Sequence, residues 1–299
     1  MDKWNFPEHC NSFGITDSRY WDSSVKDLRT LAGVSHEAAE AGIHIDRSRY
    51  ANFCIREQFT PEQWGDLEHE GLSLTKDFLS PEYHDRAREY ITSQAGSLAK
   101  NGQTMLRDTT LLHAISHGVA KAMGIEVGNP RFANAMTNNS YLQTVHNKPQ
   151  DGDIQKDLHQ DTFCYAYKWW YYAHAVSTEH GPTRYVKGSH ILGKRKKEFM
   201  QREYMRYYTG DQDNQYSIEG SLRISDEEAE SKWGNITHVV VPENTLVVLN
   251  VFGFHSRSDV MKECKRKSLH GSIRFSNPFY RDPERGVYSE KTGMRINQK

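Results

Sequence analysis

The hydrophobic pattern changes period part-way along the chain. Before about residue 128 apolar positions recur at helical spacing, around Trp21–Ala41, from Pro81 to Lys100 and from Thr110 to Met123. In the last of these, Leu111, Leu112, Ile115, Val119, Ala122 and Met123 form one stripe that stops at Gly124 and reads as core packing. Thr60-Pro-Glu-Gln63 is a helix opener, with proline at the first helical position and glutamine three residues after the threonine cap. Arg49–Arg56 reads as a short strand. Further on the period becomes two: Tyr141, Gln143, Val145 and Asn147 share one face of a strand, His159 to Trp170 reads as an aromatic-rich strand, and Thr245 to Phe254 is an apolar run of strand character. Between Gly193 and Trp233 the chain is polar with no strand pattern. The expected fold is mainly β with flanking helices, a barrel of strands after about residue 130 braced on one sheet by the N-terminal helices.

This predicts one domain over 1–299: a mostly helical part at 1–128, a β core at 129–280 interrupted by a lid-like insertion at 194–233, and a tail at 281–299. The basic start of that insertion, Lys194-Arg-Lys-Lys-Glu198, is either a solvated helix face or a binding patch. Long segments of this kind inside compact domains are commonly lids, so it is expected to cover the site and to supply tyrosines or arginines to it.

Chain length suffices for one large core. A formal net charge of −1 argues against nucleic acid as the main partner, and a mean hydropathy of −0.80 with no long apolar run argues against a membrane span. The first ten residues lack a basic-then-apolar segment, so the expected location is the cytoplasm. Cys10, Cys54, Cys164 and Cys264 form no closely spaced pair, which leaves neither a zinc knuckle nor a disulfide framework.

Candidate chemistry begins at His159-Gln-Asp161. On a strand, residues two apart project from one face, so this histidine and carboxylate can grip one metal ion. His255, at the end of the apolar run, is the candidate third ligand. Two histidines and one carboxylate leave coordination positions open, the arrangement that suits non-haem Fe(II) working on oxygen.

The segments around these ligands resemble the phytanoyl-CoA dioxygenase family. Trp170 stands eleven residues before Gly181 of Gly181-Pro-Thr-Arg-Tyr-Val-Lys-Gly-Ser-His190, as in that family, with Thr183 and Lys187 departing from its usual leucine and proline. Pro242-Glu-Asn-Thr245 fits the turn that introduces the distal histidine strand, with Asn244 near the usual glycine position. The resemblance is good over about residues 130 to 280. It implies a double-stranded β-helix, the jelly-roll or cupin-like architecture. It also implies an Fe(II)- and 2-oxoglutarate-dependent dioxygenase that consumes O2, releases succinate and CO2, and is stimulated by ascorbate.

By the same resemblance His159, Asp161 and His255 hold the iron, and Arg266, eleven residues past His255, anchors the far carboxylate of 2-oxoglutarate with Ser268. Arg274 is the rival anchor. Gln143 and Asn147 match a pair that lines the co-substrate pocket in related hydroxylases; the alternative is an edge strand with its polar side chains in water. Trp170 is either pocket wall or core. If the strand through His159 is regular, Phe163, Tyr165 and Tyr167 share the ligand face, and Lys168, Arg184 and Lys187 are either solvated or receptors for a carboxylate-bearing substrate. Asp161 disfavours halogenation, since related halogenases carry a small residue there.

What remains is oxidation of an unactivated C–H bond of a small molecule, in specialised metabolism or biosynthesis, by hydroxylation, desaturation or ring closure. The alternative is a cupin-like metal-binding protein without oxygenase activity, which would have little use for Arg266. A zinc hydrolase would need a base near the metal, and none is evident. Substrate and oligomeric state are not encoded in these motifs.

Overall fold

A computed structural model describes residues 61–93, 103–106, 141–150, 152–161, 166–208 and 222–274. Helix α1 (Pro61–His69) leads into strand β1 (Leu72–Thr75), helix α2 (Pro81–Ser93) and strands β2 (Gln103–Leu106), β3 (Tyr141–Asn147), β4 (His159–Gln160), β5 (Ala166–Tyr172) and β6 (Thr183–Val186). Helix α3 (Lys194–Tyr208), strand β7 (Leu222–Arg223) and helix α4 (Asp226–Trp233) follow, then β8 (Ile236–His238), β9 (Thr245–Asn250), β10 (His255–Arg257) and β11 (Cys264–Arg274). The sequence-predicted helices at 21–41 and 110–123, the strand at 49–56 and the tail at 281–299 lie outside the described residues, as do Cys10, Cys54 and Cys164.

The strands form two antiparallel sheets, one of order β1-β9-β5-β11-β3-β2 and one of order β7-β4-β10-β6-β8. Their facing surfaces enclose Trp170, Tyr172, Val247 and Leu249 from the first sheet and Tyr185, with Val239 and Val241, on the second. This is a jelly roll, and its core follows from strand alternation. On β5 the even residues Lys168, Trp170 and Tyr172 point inward. The odd residues Tyr167, Trp169 and Tyr171 point outward yet are fully buried, because helix and loop cover that face. Tyr171 Oη reaches His84 Nδ1 of α2 at 2.9 Å and packs against Phe78. Lys267, on the outer side of β11, donates to the carbonyls of Ile91 and Thr92 at the C-terminal end of α2. The expected bracing of one sheet by helices is realised by α2.

Four expectations need correction. The stretch from His159 to Trp170 is not one strand: β4 lies in one sheet and β5 in the other, so the chain crosses between them. The apolar run from Thr245 likewise ends as a strand at Asn250 and crosses before His255. The two edges of the larger sheet, β1 and β2, precede the strands expected after residue 130; four-residue strands are too short to leave a periodic signal. The polar segment 194–233, read as having no strand, holds two helices and β7, which pairs with β4. No helix among the described residues is long and apolar enough to cross a membrane.

Asn244 ties these layers together. Its φ of +56° is left-handed, as the sequence suggested for this turn. Its side chain accepts from Leu79 N and Tyr171 Oη and donates to Leu79 O. Asn244→Ala should destabilise the fold by about 2–4 kcal/mol, from lost buried hydrogen bonds and a strained backbone. Asn244→Gly should cost about 1 kcal/mol less, since only the strain is relieved; equal urea midpoints for the two variants would contradict this account.

Candidate metal centre

His159 and His255 stand directly opposite one another on β4 and β10, and opposed residues of an antiparallel pair project to the same face. Asp161 follows β4 at the crossing, where its amide donates to Val251 O at 2.9 Å. One donor atom from each of these three residues lies within 4.8 Å of the others. His159 Nε2 is 3.6 Å from Asp161 Oδ1, and His255 Nε2 is 3.8 Å from Oδ2. Each histidine turns its other nitrogen to a backbone carbonyl, His159 Nδ1 to Asp157 O at 2.7 Å and His255 Nδ1 to Gly253 O at 3.0 Å. Such bonds fix the tautomer that leaves Nε2 with its lone pair toward the metal position. All three side chains are buried, and His255 Nε2 has no hydrogen-bond partner. A buried, unsatisfied nitrogen beside a carboxylate is what a metal would satisfy.

The turn before His255 is held from behind. Phe254 N donates to Ser189 Oγ of the Gly-Ser-His turn at 2.8 Å, which gives that motif its structural reason. Gly253 faces Tyr185, whose Oη would stand 2.2 Å from an added Cβ. From α3, the fully buried Lys196 donates to Phe252 O at 3.0 Å and sits 3.6 Å above the Phe254 ring. Phe199 and Trp233 complete this aromatic cluster. Within the described residues, then, the segment 194–233 supports the ligand turn; its residues 209–221 and the side chains of Tyr204, Tyr207 and Tyr208 lie outside the description.

The remaining predicted residues cluster on the inner face of the larger sheet. Gln143, Asn147, Trp170, Arg266 and Ser268 are all buried. β3 lies between β11 and β2, so the edge-strand alternative for Gln143 and Asn147 is excluded. Gln143 Oε1 accepts from Trp170 Nε1 at 3.3 Å and stands opposite Ser268. Trp170 belongs to the core and stacks on His270. Arg266 Nη1 donates to Gly181 O at 2.7 Å and its guanidinium lies 5.7 Å from the Tyr172 ring centre. Asn147 Nδ2 donates to His180 O, and an added Cβ on the left-handed Gly181 would meet that amide at 2.7 Å. The Gly-Pro turn therefore serves Arg266 and Asn147 together. Arg274 pairs with Ala166 at the end of β11, and its side chain is outside the description.

Two expectations about charge and aromatics change. Lys168 is not solvated: it points inward and pairs with the Asp161 carboxylate. Arg184 is largely buried and pairs with Asp226, whereas Lys187 pairs with Glu70 at the surface. Tyr167 alternates away from Lys168 and so from the ligands, because β5 is a separate strand; Phe163 and Tyr165 lie outside the described residues. The sequence reading also missed Arg223. It stands opposite His159 in β7, is 5 % exposed, and donates from Nη1 to Ile154 O. A two-residue strand after a long polar stretch offers no periodic signal.

No protein-family model matches the chain, and no curated protein matches it. Several solved structures are similar to it. The epimerase SnoN, in complex with Fe3+, alpha ketoglutarate and nogalamycin RO, has 12 % identity over 72 % of this chain and 83 % of its own, with a TM-score of 0.43. HygX from Streptomyces hygroscopicus, with nickel, 2-oxoglutarate and hygromycin B bound, has 13 % identity over 72 % and 86 %, with a TM-score of 0.43. EctD from S. alaskensis, with 2-oxoglutarate and 5-hydroxyectoine, has 9 % identity over 78 % and 86 %, with a TM-score of 0.41. Likeness at this level carries no functional argument, and the chemistry of this chain stands on its own residues.

Burial pushes His159 down to about 3, the neighbouring His255 adding to the effect, and burial likewise pushes His255 down to about 4. Both imidazoles are neutral in the folded protein at neutral pH, as ligation requires. Below the ordinary value of 6.5 the unfolded chain binds protons that these two refuse, so stability falls as pH drops from about 6.5 toward 4. The expected slope in chelator is about 1.4 kcal/mol per pH unit for each histidine. Urea unfolding of His255→Gln should give a slope shallower by about that amount between pH 6 and 5.

Proposed function

We propose that this chain is an Fe(II)- and 2-oxoglutarate-dependent dioxygenase of the phytanoyl-CoA dioxygenase type. Its reaction is oxidation of a C–H bond of a small molecule, by hydroxylation, desaturation or oxidative ring closure. One observation supports the reading above all. A buried two-histidine, one-carboxylate set lies between the same two sheets as Arg266, a buried guanidinium with no ion pair among the described residues. A lone buried cation is costly unless an anion joins it, and a keto acid brings that anion to a site of this donor type.

The donor set of two neutral imidazoles and a carboxylate fits Fe(II). Bound there, iron would supply the oxidation itself, one atom of O2 ending in succinate as 2-oxoglutarate loses CO2 and the other serving to oxidise the substrate C–H bond. The chain's own part is to hold and to exclude. The two Nδ1–carbonyl bonds fix the imidazole planes. Arg266 offers a planar fork to the far carboxylate of the co-substrate, with the Ser268 hydroxyl beside it on the same face. Gln143, Asn147 and Trp170 wall this end of the interior and keep water from it. Asp161 retains its carboxylate, which favours halide-free oxidation. A place in specialised metabolism and a cytoplasmic location accord with this chemistry.

Incubation with Fe(II), ascorbate, O2 and labelled 2-oxoglutarate should release labelled succinate, slowly without substrate. Arg266→Gln should raise the KM for 2-oxoglutarate by about tenfold to hundredfold, the worth of a charge-assisted hydrogen bond, and Arg266→Lys by less. Absence of succinate under every condition would sink the proposal and leave a metal-binding protein of cupin type.

A further inference from the structure

The ligand row of the smaller sheet extends one residue further on each side than the metal site uses. Arg223, His159, His255 and Tyr185 stand side by side on β7, β4, β10 and β6. Directly opposed residues share a face. Arg223 therefore projects into the same interior as the two histidine ligands, next to His159.

The Asp157 and Asp161 carboxylates lie within electrostatic reach of it, but neither forms an ion pair with it. The other inward or buried cations near the site have visible partners: Lys168 the Asp161 carboxylate, Arg257 the Asp153 carboxylate, and Lys196 the Phe252 carbonyl and two aromatic rings. Arg266 has a carbonyl and an aromatic ring but no carboxylate, and the proposed function assigns it the co-substrate. Arg223, 95 % buried by difference from its 5 % exposure, has the carbonyl of Ile154 and no ion pair among the described residues. Among the described residues its five N–H donors make one hydrogen bond, through Nη1. Buried guanidinium groups in such a state are receptors for planar or tetrahedral oxyanions.

We propose that Arg223 is an oxyanion receptor beside the metal, and that the substrate carries a carboxylate or phosphate group that docks on it. The inference rests on the dioxygenase reading for the word substrate, but the receptor itself does not need the metal. Two arginines on opposite sheets, neither in an ion pair among the described residues, then divide the work. Arg266 takes the co-substrate at one end of the interior, and Arg223 orients the molecule to be oxidised from the His159 side. The sequence insertion between β6 and β8 contributes a specificity residue through β7, from the backbone pairing of Leu222 and Arg223 with β4.

Calorimetric titration of the whole protein with inorganic phosphate and with 2-oxoglutarate tests this, once in chelator and once anaerobically with Fe(II). Wild type should bind phosphate saturably in both states. Arg223→Gln should weaken phosphate binding by about tenfold or more, with 2-oxoglutarate and Fe(II) affinities unchanged, while Arg266→Gln should do the reverse. Arg223→Lys keeps a charge and the reach to Ile154 O, so it should retain part of the phosphate affinity and gives the reading should the glutamine variant not fold. Phosphate binding indifferent to residue 223, no saturable phosphate binding by wild type, or loss of 2-oxoglutarate affinity in Arg223→Gln would each overturn the proposal. Loss of Fe(II) binding in wild type would instead strike the dioxygenase reading and leave the chelator titration standing.

Discussion

The site depends on two neighbouring crossings between the sheets. After β4 the chain leaves the smaller sheet for β5, and after β9 it leaves the larger sheet for β10. These crossings are hydrogen-bonded to each other: Asp161 N donates to Val251 O at 2.9 Å and Val251 N donates to Ala166 O at 2.8 Å. Backbone bonds in a water-poor interior are costly to leave unmade, so one crossing fixes the other. His159 and Asp161 enter from the first crossing and His255 from the second. The metal position is therefore a consequence of sheet topology, and Ser189, Lys196 and Gly253 act by keeping the second crossing in place.

A second theme is the sorting of buried charge. Burying an ion costs free energy unless a partner offsets it, and most buried cations here have one. Lys168 faces Asp161, Arg184 faces Asp226, and Arg257 faces Asp153. Against that background Arg266 and Arg223, which form no ion pair among the described residues, stand out as the places we propose for an anion that comes from outside the chain.

Much of this was legible in the sequence where a local rule is strict. Tyr141–Asn147 reads as a strand and is one. Asn244 was readable as a left-handed turn residue because few side chains tolerate that backbone. That His159, Asp161 and His255 come together was readable from the two-residue spacing of the first two and the placement of His255. The crossings were not readable. Aromatic residues run on past Asp161 and apolar residues run from Thr245 to Phe254, so each stretch reads as one continuous strand and hides the crossing between the sheets. Arg223 and Lys168 were opaque for a related reason: a charged residue in a short or aromatic strand looks solvent-facing until the pairing register shows which side it takes.

The most direct test of this account is diffraction at the iron absorption edge from crystals grown without oxygen in Fe(II) and 2-oxoglutarate. One strong anomalous peak should appear in contact with His159 Nε2, His255 Nε2 and an Asp161 carboxylate oxygen, with the far carboxylate of 2-oxoglutarate on Arg266. A metal bound elsewhere, or a co-substrate whose carboxylate sits on Arg223 while Arg266 stays with Gly181, would contradict it.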